Sequence, residues 1–321
     1  MAGFTYNTYT MVTSVLQTID TQHEDVIHDS QMDYFGTHLA TCSSDRTVKI
    51  FEVKNGTQRL IETLTGHEGP VWQVNWAHPK YGNMLASCSY DKKVIIWKEN
   101  NGQWSKLYEY ADHDSSVNSV CWAPHETGLI LACASSDGSI SILAHKGNDE
   151  WEATKIPDAH INGCLAVSWA PAVTPGSLIE APTEGRSNSF QKMIVSAGID
   201  QLLKTWKEDQ DGKWVTLDVL SGHNDWVRDC SWAPSVGLPK SKIASCSSDG
   251  RVIVWTSDQG SNWKSQCLHK FNECVWHVSW SLTGDLLAVS SGKNDVSLWK
   301  EGLDETWTRI SDVVKDESVA E

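Results

Sequence analysis

A histidine, a serine and an aspartate, the types that together perform acyl transfer, stand at His67, Ser87 and Asp91. In a hydrolase the imidazole takes the hydroxyl proton while the carboxylate holds the ring. Repetition argues against that chemistry, because related sets recur as His23, Thr41, Asp45; His160, Ser196, Asp200; and His223, Ser245, Asp249. One chain has little use for so many equivalent active sites. Buried together, the same groups satisfy one another: Asp accepts from the imidazole, Ser bridges, and an indole N–H from Trp97 or Trp255 ends the chain. Such a network specifies one local geometry. His67, Ser87, Asp91, Trp97, His223, Ser245, Asp249 and Trp255 are therefore assigned a structural role, and no catalytic residue is expected.

Other chemistries lack their residues. There is no G-x-x-x-x-G-K-[ST] or G-x-G-x-x-G segment between strand and helix, so no nucleotide cofactor is expected. Nine cysteines form no C-x-x-C pair or Cys/His cluster at metal spacing. Cys42, Cys88 and Cys246 each stand three residues before a turn Asp and read as small buried hydrophobes in a reducing compartment. His28, His38, His78, His125, His145, His269 and His277 show no ligand spacing and read as solvated loop residues.

The elements that must position the sets repeat. Within residues 67–97, 71–76 alternates, 84–89 is small and apolar, and 93–97 is an apolar run; Pro- and Asp-containing turns divide them. Asp45, Asp91, Asp137, Asp200 and Asp249 each precede Phe51, Trp97, Leu143, Trp206 and Trp255 by six residues, and Lys293 precedes Trp299. Leading histidines fall at 23, 67, 113, 160 and 223, with Phe271 in the sixth copy. A fourth strand follows each copy, opening near Leu60, Trp104, Trp151, Trp214, Trp263 and Trp307. Four strands repeating near every 45 residues are the signature of a propeller blade, so the chain is all-β with six four-stranded blades. Fourteen of the 17 tryptophans fall in fixed blade phases; Trp72, Trp226 and Trp276 do not.

A single toroidal domain spans residues 14–313, between an extension (1–13) and an acidic tail (314–321). Blade 4 carries a long insertion at 172–191 and blade 5 a shorter one at 235–242, both between first and second strands. The net charge of −15 disfavours direct nucleic-acid binding and adhesion to anionic lipid. No apolar run reaches the roughly 20 residues of a membrane helix, no signal peptide is visible, and the sequon at Asn55 reads as a hairpin turn. A soluble protein of the cytosolic or nuclear side is expected.

Strand counting leaves a remainder. Val15, Leu16, Gln17, Thr18 and Ile19 occupy a fourth-strand position ahead of blade 1, yet blade 6 already ends in its own fourth strand. An unclosed ring exposes a face on blades 1 and 6. At roughly 400 Å² each, burying a face contributes on the order of 10 kcal/mol. The expectation is an open propeller completed in trans: a partner inserts three strands that pair with residues 15–19 as a seventh blade.

Residues 67–99, 113–133 and 226–255 closely resemble the small WD-repeat subunit of the COPII vesicle-coat outer cage, over nearly the whole chain after residue 11. Resemblance implies an open six-bladed propeller completed by a blade from the large outer-coat subunit, or by a similar segment of a nucleoporin in the nuclear-pore Y complex. It also implies a place in an amino-acid-sensing complex upstream of TOR. The expected role is a structural scaffold for budding from the endoplasmic reticulum, with peripheral, indirect membrane association there and on coated vesicles, and further locations at the nuclear pore and lysosome. Residues 1–10 and Lys293 depart from the pattern. The alternatives are the sister nuclear-pore WD-repeat scaffold and a peptide-binding WD-repeat adaptor.

Overall fold

A computed structural model describes residues 18–54, 56–148, 150–172, 191–234, 240–258, 260–292, 295–302 and 304–312. Consecutive strands form six four-stranded antiparallel sheets. Blade 1 holds β1 (Ile27–Met32), β2 (His38–Ser43), β3 (Thr47–Lys54) and β4 (Thr57–Thr65). Blade 2 holds β5 (Val71–Trp76), β6 (Met84–Ser89), β7 (Val94–Asn100) and β8 (Gln103–Tyr110). β9 (Val117–Trp122), β10 (Ile130–Ser135), β11 (Ile140–Gly147) and β12 (Glu150–Ile156) make blade 3. Blade 4 comprises β13 (Cys164–Trp169), β14 (Met193–Gly198), β15 (Leu202–Glu208) and β16 (Trp214–Ser221). Blade 5 comprises β17 (Val227–Trp232), β18 (Ser241–Ser247), β19 (Arg251–Ser257) and β20 (Lys264–Lys270). β21 (Val275–Trp280), β22 (Leu286–Ser291), β23 (Asp295–Glu301) and β24 (Trp307–Asp312) complete blade 6.

The expected blade count and inner-strand phases appear as read. Some boundaries differ. Fourth strands open at Thr57, Gln103 and Glu150, ahead of Leu60, Trp104 and Trp151, because hairpin pairing extends the ladder to the turn. β18 begins at Ser241 inside the expected insertion of blade 5, since Ser241 and Lys242 pair with Ser257 and Thr256. Of the expected strand at 15–19, Val15, Leu16 and Gln17 lie outside the described residues, whereas Thr18 and Ile19 are irregular backbone. The extension 1–13, the acidic tail 314–321 and most of the blade 4 insertion also lie outside them.

Strand alternation sends neighbouring side chains to opposite sheet faces, so each blade packs on two neighbours. Blade 2 illustrates it: Val94 and Ile96 enter a cluster with blade 3, while Ile95 and Trp97 enter one with blade 1. Among the described residues five such apolar clusters bridge blades 1 to 2, 2 to 3, 3 to 4, 4 to 5 and 5 to 6.

Polar stitches run beside these clusters. Trp76 Nε1 donates to Gln31 O at 2.9 Å, Trp122 Nε1 to Asn75 O at 2.9 Å, Trp169 Nε1 to Cys121 O at 2.9 Å and Trp280 Nε1 to Ser231 O at 3.0 Å. Each bond ties a first strand to the preceding blade. Two positions upstream, the amides of Val74, Val120, Val167 and Val278 donate to side chains of Asp29, Gln73, Ser119 and Asp229. Trp232 is the exception, bonding Ser241 Oγ within its own blade at 2.8 Å. First-strand tryptophans also meet fourth-strand ones edge to face, as Trp76 with Trp104 at 5.8 Å and Trp169 with Trp214 at 5.7 Å. That pairing accounts for much of the tryptophan usage.

Trp122→Phe keeps most of the apolar volume but leaves the Asn75 carbonyl without its donor. The expected loss is about 1–3 kcal/mol, read as a lower urea midpoint at unchanged slope; an unchanged midpoint would show that the stitch contributes nothing.

Candidate functional site

Two features compete for the role of functional site, and the repeated His, Ser, Asp set is the first. His67 Nδ1 lies 2.9 Å from Asp91 Oδ2, its Nε2 lies 2.8 Å from Ser87 Oγ, and Trp97 Nε1 donates to the same Oγ at 2.9 Å. His160, Asp200, Ser196 and Trp206 repeat the arrangement at 2.7–2.9 Å. His23 joins Asp45 and Thr41, although Phe51 supplies no donor. In blade 5, His223 Nε2 reaches Ser245 Oγ at 2.8 Å and Trp255 Nε1 donates to that hydroxyl at 2.9 Å. His223 Nδ1, however, stands 3.4 Å from Asp249 Oδ2, which takes the Arg251 guanidinium at 3.1 Å instead. In blade 3, Cys133 and Leu143 replace Ser and Trp, and His113 Nε2 has no partner.

The Asp is the hub of each turn. Asp91 also accepts the amides of Glu68 and Lys93, clasping the leading His to the hairpin. Burial alone would raise the Asp91 carboxyl, but the bonds from His67 and these amides outweigh it and hold the pKa below 3.8. Asp45 is treated likewise, its burial outweighed by Thr47 and His23, and sits at about 2. Burial pushes the His113 and His223 imidazoles below 6.5 against the pull of their aspartates. Ser87, Ser196 and Ser245 are fully buried, so no substrate carbonyl reaches their hydroxyls. Among the described residues no group of His, Cys, Asp and Glu is arranged to hold a metal. Burial pushes the thiols of Cys42, Cys88 and Cys246 well up.

Most of the remaining histidines are not simply solvated. His28 bonds Ser44, His38 bonds Asp33, and His78 stacks on His125 with centroids 3.9 Å apart. His145 and His269 meet Trp151 and Trp299, respectively. His277 pairs with Asp229 at 2.6 Å, which lifts it to about 9, although half of the side chain meets solvent that screens the pair. Each of these partners comes from another strand or loop, and none is visible in linear order.

The second feature is the seam between blades 6 and 1. Among the described residues no apolar cluster bridges them, and no hydrogen bond joins β1 to β21. Blade 6 turns an unfinished face outward. Leu286, Ala288, Val296 and Leu298 are half-buried, whereas their blade 2 counterparts Met84, Ala86, Val94 and Ile96 are buried. In β1, Ile27 is 43% exposed where Val71, Val117, Val227 and Val275 are 0%. Met32, 41% exposed, stands where other first strands carry the stitching tryptophan. Among the described residues Val26, beside Ile27, is also exposed. The sequence reaches the seam by strand count, and Met32 in a tryptophan phase marks blade 1 as imperfect at the same edge.

Comparison with known proteins agrees with the architecture. The chain matches the family "WD domain, G-beta repeat" over residues 13–52, 58–98, 104–142, 214–256 and 265–300. It is 66% identical to a human protein called "Protein SEC13 homolog" over 304 residues, covering 94% of each chain. The Drosophila melanogaster homologue of that name is 53% identical, covering 93% of this chain and 84% of its own. A Yarrowia lipolytica "Protein transport protein SEC13" is 52% identical, covering 90% and 97%.

Ser87→Ala strips a partner from both His67 Nε2 and Trp97 Nε1. The expected cost is about 2–4 kcal/mol in urea unfolding, and a neutral result would contradict the network. Acid should weaken the fold in two windows. Below pH 6.5 the unfolded chain takes protons that His113 and His223 refuse, and from about pH 4 towards 2 Asp45 gives up its contribution. Denaturant midpoints should fall from about pH 6 to 3, whereas between pH 8 and 6.5 His277, which holds its proton in the folded chain, adds stability on acidification; a midpoint rising between pH 6 and 5 would reverse the signs assigned to His113 and His223.

Proposed function

Because the chain belongs to the SEC13 family of WD-repeat propellers, we propose that it is a scaffold of protein transport, built into the outer cage of the COPII coat by accepting a blade from the large coat subunit. It is a structural protein and not an enzyme. The observation that carries the reading is the count of interblade cores: six blades, five bridging clusters, and a half-exposed apolar face left on blade 6. A sheet face of that kind is a partner site or an aggregation hazard.

The repeat boundaries support the pairing partner. Matched repeats begin at the fourth-strand position and end in the next blade's third strand, as 58–98 does, and the first begins at residue 13. By the same phase, residues 15–19 would take a fourth-strand position with no inner strands of their own, which these boundaries support. Three strands from another chain, laid between blade 6 and residues 15–19, make a seventh four-stranded blade. Insertion would convert a propeller with a loose edge into a rigid element suited to a lattice that bends a membrane. The acidic charge is consistent with membrane contact made through other coat layers at the endoplasmic reticulum and on vesicles.

The same seam would serve a nucleoporin of the nuclear-pore Y complex carrying a similar segment, and an amino-acid-sensing assembly upstream of TOR. These roles use one surface, so the partners would exclude one another.

Co-expression with the large coat subunit should recover the complex with residues 1–321 and lose it with a chain beginning at His23. Ile27→Asp with Met32→Asp should likewise abolish recovery while shifting the melting temperature of the isolated chain by only about 2 °C, the range of an exposed substitution. Equal recovery in all three forms would rule out insertion at this seam.

A further inference from the structure

The second residues of the first strands line one mouth of the ring. In three of the six they bond to the residue just before the turn Asp: His28 Nε2 meets Ser44 Oγ at 2.7 Å, and Asn118 Nδ2 meets Ser136 Oγ at 2.8 Å. Arg228 keeps the pattern through Nε, 2.7 Å from Ser248 Oγ. In blade 6 the second residue is Trp276 and its cross-hairpin counterpart is Gly292, which offers no side chain. The Trp276 indole lies instead against Arg228, with the guanidinium carbon 4.8 Å from the ring centroid. The Trp226 ring lies at the same 4.8 Å from that carbon.

The guanidinium therefore contacts two indoles that are 41% and 53% exposed, two of the three tryptophans outside the blade phases. These contacts orient the fork. Its Nη groups have no hydrogen-bond partner among the described residues, and neither do the indole Nε1 groups of Trp226 and Trp276. The nearby carboxylates are engaged: Asp225 with the Trp226 amide, Asp229 with His277 and the Val278 amide, Asp249 with Arg251, and Glu273, which lies against Gly292, with a partner of its own. The opening thus presents hydrogen-bond donors beside two apolar rings.

From these contacts we infer that the mouth between blades 5 and 6 is a second docking site, taking an acidic peptide segment of a partner protein through a side-chain carboxylate held by Arg228 beside the two indoles. A carboxylate accepts only, and it fits the planar fork with two parallel bonds. Trp and Arg are also the types that dominate interface hot spots. The site stands apart from the seam and does not require a blade to be inserted.

The test is selection of random dodecapeptides displayed on phage against the full chain, followed by affinity measurement of the enriched peptides in synthetic form. Enriched sequences should carry Asp or Glu at a fixed position beside an apolar residue. Replacing that acid by its amide, or Arg228→Gln, should weaken binding about tenfold or more, the effect of losing a charge-assisted pair. Arg228→Lys should fall between, since it keeps charge but loses the fork. Trp226→Ala, with the melting temperature checked, should weaken it independently. Failure to enrich any peptide, enrichment of peptides without an acid, or affinity within about twofold in both Arg228 variants would overturn the site.

Discussion

Every blade of this ring depends on a neighbour. A four-stranded sheet with apolar residues on both faces cannot stand in water, and alternation along the strand guarantees both faces here. The indole N–H of a first-strand tryptophan, reaching back to the preceding blade's carbonyl, makes that dependence directional. Blade n is stitched to blade n−1. The first blade needs no such donor if nothing of its own chain precedes it, and Met32 stands in that position. The last blade still offers its outer face and finds no successor. The seam between blades 6 and 1 is thus marked by the side chains of the two end blades, exposed Ile27 and Met32 on one and the half-buried face of β22 and β23 on the other.

The His, Ser, Asp and Trp networks serve a different purpose. Each lies inside one blade, where Asp clasps the leading His to the hairpin turn and the buried hydroxyl joins strand two to strand three. Residue after residue of catalytic type is consumed in holding shape. Where the network has decayed, the blade remains: His113 lacks a partner on Nε2, and blade 6 holds Trp299 on Ser297 Oγ at 2.9 Å instead. Blade geometry is over-determined by packing, and the polar set narrows it further.

Much of this was legible in linear order because the period was regular. The turn Asp and closing Trp at fixed separation gave the blade count, and Trp97 with Ser87 and His67 could be joined from spacing alone. What spacing cannot reveal is which strands face one another across blades. Gln31, Asn75 and Ser168 each accept the amide of a tryptophan in the next blade. Likewise Trp226 and Trp276 stood out only as tryptophans without a phase, and their shared contact with Arg228 arises because Gly292 leaves one of them unpaired. The reading of loop histidines as solvated failed for the same reason: His78 and His125 meet only when blades 2 and 3 are side by side.

Hydrogen–deuterium exchange resolved by peptide reports on the open seam most directly, because local opening follows the loss of packing partners. In the isolated chain, peptides covering β1 and β21 to β23 should exchange early, while those covering β9, β10, β13 and β14 stay protected until global unfolding. Addition of a partner blade should slow β1 and β22 and leave the central blades unchanged. Uniform protection across all six blades in the isolated chain would mean that the ring closes on itself, and the scaffold reading would lose its physical basis.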